Sequence, residues 1–208
     1  MRLPAPSQEL TKLSRDQKPM RGRSGRTLLS APWCHDLARS LQLQPAIAPL
    51  LPERAVAVQC TLFSKSPKGN WLLALHQDLS IPVRARVSCP ECTGWSEKEG
   101  GIFVQPPIAV LESLLAVRIH LDPCPSHAGA LQVVQGSHRS GRLGSAEAAE
   151  MRAARRETVV SVAQGAALLM RPLAARLLEG DTRCHRRVLH FVFGPRELPC
   201  RLQWAIAV

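Results

Sequence analysis

The chain contains no tyrosine and only four phenylalanines among its 208 residues. Proteins that grip single-stranded nucleic acid stack its bases on aromatic rings. This shortage therefore argues against that role, even at a formal net charge of +11. No run approaches the roughly 18 uncharged apolar residues that a membrane-spanning helix needs. The N-terminus shows no hydrophobic stretch followed by a small-residue cleavage site, so no export signal is read and a cytoplasmic location is expected. No internal repeat is present.

Acidic residues are also scarce, 16 against 27 basic. The excess is uneven. Residues 1–26 carry Arg2, Lys12, Arg15, Lys18, Arg21, Arg23 and Arg26 against Glu9 and Asp16, a local +5. This Pro-, Ser- and Arg-rich stretch has no apolar periodicity, and residues 1–30 are expected to form a flexible basic leader. Such a tail attracts phosphate loosely, although a solvated tail is the plainer reading. Residues 31–208, in a chain that is 45% apolar, are long enough for one domain with a full core.

The seven cysteines are an odd number, and without an export signal they are expected as reduced, mostly buried thiols. One spacing suggests more. Cys89-x-x-Cys92 and Cys124-x-x-His127 could together close a tetrahedral zinc site. Pro90, Pro123 and Pro125 break up the two pairs and weigh against it.

From residue 55 onward, short apolar and β-branched runs recur between Gly, Pro and Ser clusters, which predicts strands. They cover 55–63, 71–76, 81–88, 102–105, 114–121, 130–134, 158–162, 166–170, 187–193 and 202–208. Helices are predicted at 33–43 and 145–156, the second with Ser145 as N-cap. The expected fold is mostly β: two facing antiparallel sheets in a jelly roll, with helices outside. Residues 89–101, with glycines at 94, 100 and 101, read as a loop over the barrel mouth.

His76-Gln77-Asp78 at the end of an apolar strand has the form of a His-x-Asp pair, two of the three ligands of a 2-His-1-carboxylate iron site. With LLAVRIHLD (114–122), HAGALQVVQGSHRSG (127–141) and RRVLHFVFGP (186–195), it resembles the phytanoyl-CoA dioxygenase family over about residues 50–208. Members of that family are Fe(II)- and 2-oxoglutarate-dependent oxygenases with a double-stranded β-helix fold. The resemblance implies that His76 and Asp78 bind iron and that Arg187 pairs with the distal carboxylate of 2-oxoglutarate. Gln59 would be a further hydrogen-bond donor to that co-substrate. It also implies hydroxylation of a small organic substrate, while the lack of a long apolar run leaves no membrane partner expected.

One position departs from the family pattern. The distal histidine should stand in the segment Arg171-Pro172-Leu173-Ala174-Ala175-Arg176-Leu177-Leu178, and the alignment puts Arg176 there, 11 residues before Arg187. Leu178 stands where a serine is usual. A guanidinium has no lone pair to donate. Held about 5 Å from Fe²⁺, it would repel the ion by roughly 6–7 kcal/mol at an effective dielectric of 20. Among possible substitutes, His185 lies too close to Arg187 along the strand. His190 has the opposite parity to Arg187 and should face away, and His138 sits in a turn. His120 is the least unsuitable. The alternative to an oxygenase is thus a catalytically inactive jelly roll that holds a small carboxylate or a protein partner.

Overall fold

The structure, a computed structural model, describes residues 28–65, 72–126, 129–178 and 186–208. The expected leader falls outside them up to residue 27. Its last three residues, Leu28–Ser30, form a 3-10 turn in which Leu29 is buried. Among the described residues there are eleven strands and three α-helices, and no helix is long and apolar enough to cross a membrane.

Two four-stranded antiparallel sheets make the jelly roll. The first orders β1 (Val56–Lys65), β11 (Arg186–Gly194), β6 (Leu115–His120) and β9 (Ala167–Met170). The second orders β2 (Leu73–His76), β10 (Arg176–Leu178), β7 (Leu131–Val134) and β8 (Glu157–Val160). Ala116, Met170 and Leu168 from the first sheet pack against Leu131, Leu178 and Leu73 from the second. These side chains form the inner layer that holds the two sheets together.

The outer face of the first sheet is covered by α1 (Pro32–Gln42). Pro32 suits the first helical turn because its missing N–H would be unsatisfied there anyway. Cys34, Ala38 and Leu41, at i, i+4 and i+7, form the buried stripe that meets Cys60, Val117, Leu189, Phe191 and Phe193. Strand parity is therefore legible: on β11 the odd-numbered residues face the helix and the even-numbered ones face the barrel interior.

β1 needs a correction to keep that parity. Its pairing with β11 shifts between Ala57 and Gln59, so Val58 is an inserted residue, a β-bulge. Before the bulge Ala57 faces the helix, and after it Cys60 does. The bulge thereby turns Gln59, Thr61 and Phe63 inward.

A third sheet, β3 (Ile81–Val83), β5 (Gly101–Gln105) and β4 (Thr93–Lys98), closes one end. The segment read as a mouth loop is mostly strand. It forms a hairpin with β5 through Glu99 and Gly100, whose φ angles of 51° and 78° match the two-residue turns that keep the strand twist. The strand predicted over 81–88 stops at Val83. The one predicted over 202–208 makes only an isolated bridge from Trp204 to Val83, plus paired backbone bonds between Val208 and Ala57. The helix α2 (Ile108–Ser113) was not anticipated. Helix α3 (Ser145–Ala154) ends two residues short of the expected span and is capped at Gly144 rather than Ser145, the Gly144 N–H donating to Glu147 Oε2 at 2.7 Å.

Candidate functional site

A cavity of about 300 Å³ opens between the sheets. β1 contributes Gln59, Thr61 and Phe63, and β11 contributes His190 and Val192. The end of β2 and the residues after it bring His76, Gln77 and Asp78, and the third sheet adds Lys98 and Phe103. The structure thus unites His76, Asp78 and Gln59 in one chamber, as the sequence suggested, although Asp78 lies beyond the strand end. Gln77, the middle residue of the triplet, is a staple. Its amide donates to Gly141 O at 2.9 Å and Leu173 O at 2.7 Å, and its oxygen accepts from Leu143 N–H at 2.8 Å.

Arg176 stands behind His76 and Asp78, outside the cavity lining. It pairs with His76 across the β10–β2 ladder, is only 3% exposed, and forms a direct ion pair with Asp78. The same side chain donates to Pro172 O at 3.0 Å and Ala174 O at 3.1 Å. Asp78 therefore already has its counter-cation. His76 Nε2 stands 3.8 Å from Asp78 Oδ1, and its Nδ1 sits 2.8 Å from Ala74 O. Burial and then Arg176 push the His76 imidazole below its ordinary value.

Arg187 is not brought to these residues. Being odd-numbered on β11 it faces away from the interior, where Asp122 holds it in bidentate fashion at 2.7 and 2.8 Å and also accepts its backbone N–H. That bond raises the Arg187 guanidinium above its usual range. The even-numbered neighbour Arg186 lies on the interior side. The expectation for His190 fails for the same reason: its parity is opposite to Arg187, but the inward face is the one His190 occupies. An adjacent-arginine pair offers both parities, and choosing the wrong one reverses every assignment along the strand.

The interior is strongly cationic. Lys65, Arg118, Arg176 and Arg186 are all buried, and no Asp or Glu is buried among the described residues. Arg118 Nη1 lies 3.3 Å from His190 Nδ1, and its guanidinium covers the Phe63 ring at 5.3 Å. Arg186 donates to Gly129 O and lies 3.6 Å from Cys124 Sγ. The Nε atoms of Arg118 and Arg186 and both ring nitrogens of His120 are buried without a hydrogen-bond partner. The chemistry follows this crowding. Burial and then Arg186 push Lys65 down to about 8, and burial and the same neighbour push Arg118 to about 10. Burial, Arg118 and Arg186 push His120 to about 4, and burial, Arg118 and Arg176 push His190 well down.

The chain matches phytanoyl-CoA dioxygenase (PhyH) over residues 8–175. It belongs to that family. The match ends one residue before Arg176, so it does not reach the displaced ligand position. No curated protein matches the chain by sequence. Solved structures of the same fold include the non-heme α-ketoglutarate-dependent carbocyclase SnoK from nogalamycin biosynthesis, at 15% identity and TM-score 0.61, covering 92% of this chain and 77% of SnoK. They also include HygX from Streptomyces hygroscopicus with nickel and 2-oxoglutarate bound, at 17% identity and TM-score 0.59, covering 90% and 75% of the two chains. AviO1 from Streptomyces viridochromogenes Tue57 has 19% identity and TM-score 0.55, covering 93% and 82%.

The residues of this PhyH-family chain do not fit iron. Two ligand atoms 3.8 Å apart remain, but the third corner is a buried guanidinium already bonded to the carboxylate. Nor does a histidine step in. Among the described residues, the one group of three or more His, Cys, Asp or Glu with all ligand atoms within 4.8 Å is Cys89, Cys92 and Cys200, away from the cavity lining. The zinc site considered at Cys89, Cys92, Cys124 and His127, and disfavoured by the prolines, is not seen either. Cys124 bridges Val162 beside Arg186, and His127 lies outside the described residues. The all-thiol expectation is corrected at one place, since Cys89 and Cys200 are joined as a disulfide, while Cys34, Cys60, Cys92 and Cys124 are free and buried.

Proposed function

We propose that this chain is a metal-independent binding module of the PhyH family whose barrel takes up a small dicarboxylate-type anion beside His76. The observation that carries this reading is the Asp78–Arg176 ion pair. HygX, a structure of the same fold, has iron bound. Here a side chain of this chain supplies the positive charge at the carboxylate permanently.

The anion enters to balance charge. Arg118 and Arg186 are buried with their Nε atoms unpartnered, and a buried charge costs several kcal/mol in lost hydration. A single negative charge about 6 Å from one of them regains roughly 3 kcal/mol at an effective dielectric of 20. Gln59, Thr61 and His190 offer polar contacts, with His190 braced from behind by Arg118. Phe63 and Phe103 keep water from the walls.

Calorimetric titration with 2-oxoglutarate and with succinate, in buffer containing EDTA, tests the proposal. Binding is expected to be indifferent to EDTA, at least tenfold weaker in Arg118→Leu, and unchanged in Arg187→Leu. Uptake that appears only with added Fe(II) overturns it.

A second reading, a working oxygenase, draws on one observation: His76 and Asp78 still stand side by side in the chamber. It requires Arg176 to leave, which its burial and two carbonyl bonds oppose. Under that reading, decarboxylation of 2-oxoglutarate would accompany turnover with Fe(II) and O₂.

A further inference from the structure

A second cluster lies apart from the cavity, where the turn before β4 meets the C-terminal segment. Cys89-Pro90-Glu91-Cys92 forms a tight turn closed by Cys92 N–H to Cys89 O at 3.1 Å, with both cysteines at its base. Cys200 approaches from the other side. It and Arg201 adopt left-handed backbone, each with φ of 58°. Two successive non-glycine residues in that region persist only where the surroundings enforce it. Here Leu202 and Trp204 anchor the following residues in the same apolar cluster that holds Cys92. Trp204 Nε1 also donates to Pro195 O at 2.8 Å.

The three sulfurs lie within 4.8 Å of one another, with Cys92 buried and Cys89 and Cys200 half-buried. We propose that in the reduced chain Cys89, Cys92 and Cys200 bind one zinc ion. Thiolates sharing a tetrahedral zinc at about 2.3 Å stand roughly 3.8 Å apart, so small side-chain rotations complete the site. No other described His, Cys, Asp or Glu completes it, and the fourth position opens to solvent through the half-buried side.

In the structure Cys89 and Cys200 are joined directly, with Cα atoms 6.0 Å apart. That linkage uses two sulfurs and leaves the Cys92 thiol within reach of both, where exchange can attack it. A metal uses all three. The turn geometry also favours zinc, because a Cys-x-x-Cys turn presents both sulfurs to a single ion. The ion would fasten the β3–β4 connection to a segment 111 residues away and so brace the third sheet, which supplies Lys98 and Phe103 to the cavity wall.

The test uses the full chain, purified under a thiol-free reductant. Elemental analysis is expected to find one zinc per chain, and exchange with Co(II) to give a thiolate-to-cobalt charge-transfer band with tetrahedral d–d bands. Cys92→Ser should lose both, whereas Cys124→Ser, which alters a buried thiol elsewhere, should keep them. Because a variant can fail for lack of folding, a mercurial titration of the unmodified chain provides the second measurement: zinc release should track modification of three thiols. A chain without metal and without a cobalt band overturns the proposal. So does a Cys89–Cys200 disulfide that survives the reductant with Cys92 free, or full metal content in Cys92→Ser.

Discussion

Replacing Arg176 by histidine should convert the site into a metal centre. In the unmodified chain any ion held by Asp78 would lie within about 5 Å of the guanidinium that contacts the same carboxylate. Two positive charges against one at that distance cost roughly 6–7 kcal/mol at an effective dielectric of 20, which corresponds to between four and five powers of ten in affinity. Arg176→His removes this repulsion and places an imidazole opposite His76 in the β10–β2 ladder, completing two histidines and one carboxylate. The variant should lose about 1–2 kcal/mol of stability, because Pro172 O and Ala174 O lose their donor. The assay is an anaerobic titration with Fe(II) and 2-oxoglutarate, watching for the metal-to-ligand charge-transfer band. No band is expected in the unmodified chain, and one should emerge in the folded variant. A band in the unmodified chain, or none in a variant whose circular dichroism is native, refutes the placement of Arg176.

Further outcomes follow from the same geometry. His120 is buried with its folded value near 4 against an unfolded value of about 6.5, so the folded state stays neutral where the unfolded chain binds a proton; stability should fall by up to about 3 kcal/mol as pH drops from 6.5 to 4 and level off below, and urea melts of His120→Leu should lack most of that loss. Gln77→Leu strips three hydrogen bonds from the 141–143 and Leu173 backbone and should cost about 2–3 kcal/mol in the same melts, with dicarboxylate uptake weakened only in proportion to unfolding. Asp122→Ala frees Arg187 from a half-buried bidentate pair and should lower stability by about 1–2 kcal/mol, leaving calorimetric binding unchanged. A loss of binding there would place Arg187 in the site after all.

Much of the architecture could be read from the chain because most strands alternate or run apolar between turn residues. β1, β6, β7 and β11 fall within a few residues of their expected positions. The failures have local causes. The 202–208 segment is apolar but finds no continuous partner: it meets only the free edge of β3, a strand of three residues, through the Val83 bridge. The hairpin at 93–105 begins in a polar stretch, Thr93–Lys98, whose exposed face removes the usual signal. At the site, His76 and Asp78 came from the His-x-Asp spacing and Gln59 from the family resemblance, and all three line the chamber. The inward arginine was not identifiable, because Arg186 and Arg187 are chemically identical and only the register decides between them. The charge-rich interior was equally hidden: Lys65, Arg118 and Arg186 sit at strand positions that read as solvent-facing in a one-dimensional pattern. A useful signal was available, since His120 and Arg118 share parity within a strand whose other face is wholly apolar.

The extra residue at Val58 marks the place where the first strand can change length. Deleting it would join Ala57, opposite Phe193, directly to Gln59, opposite Val192, so the ladder with β11 would become continuous while Gln59, Thr61 and Phe63 still pointed into the chamber. Comparisons between distant homologues should therefore admit a single-codon gap here, with the alternation on either side of it kept.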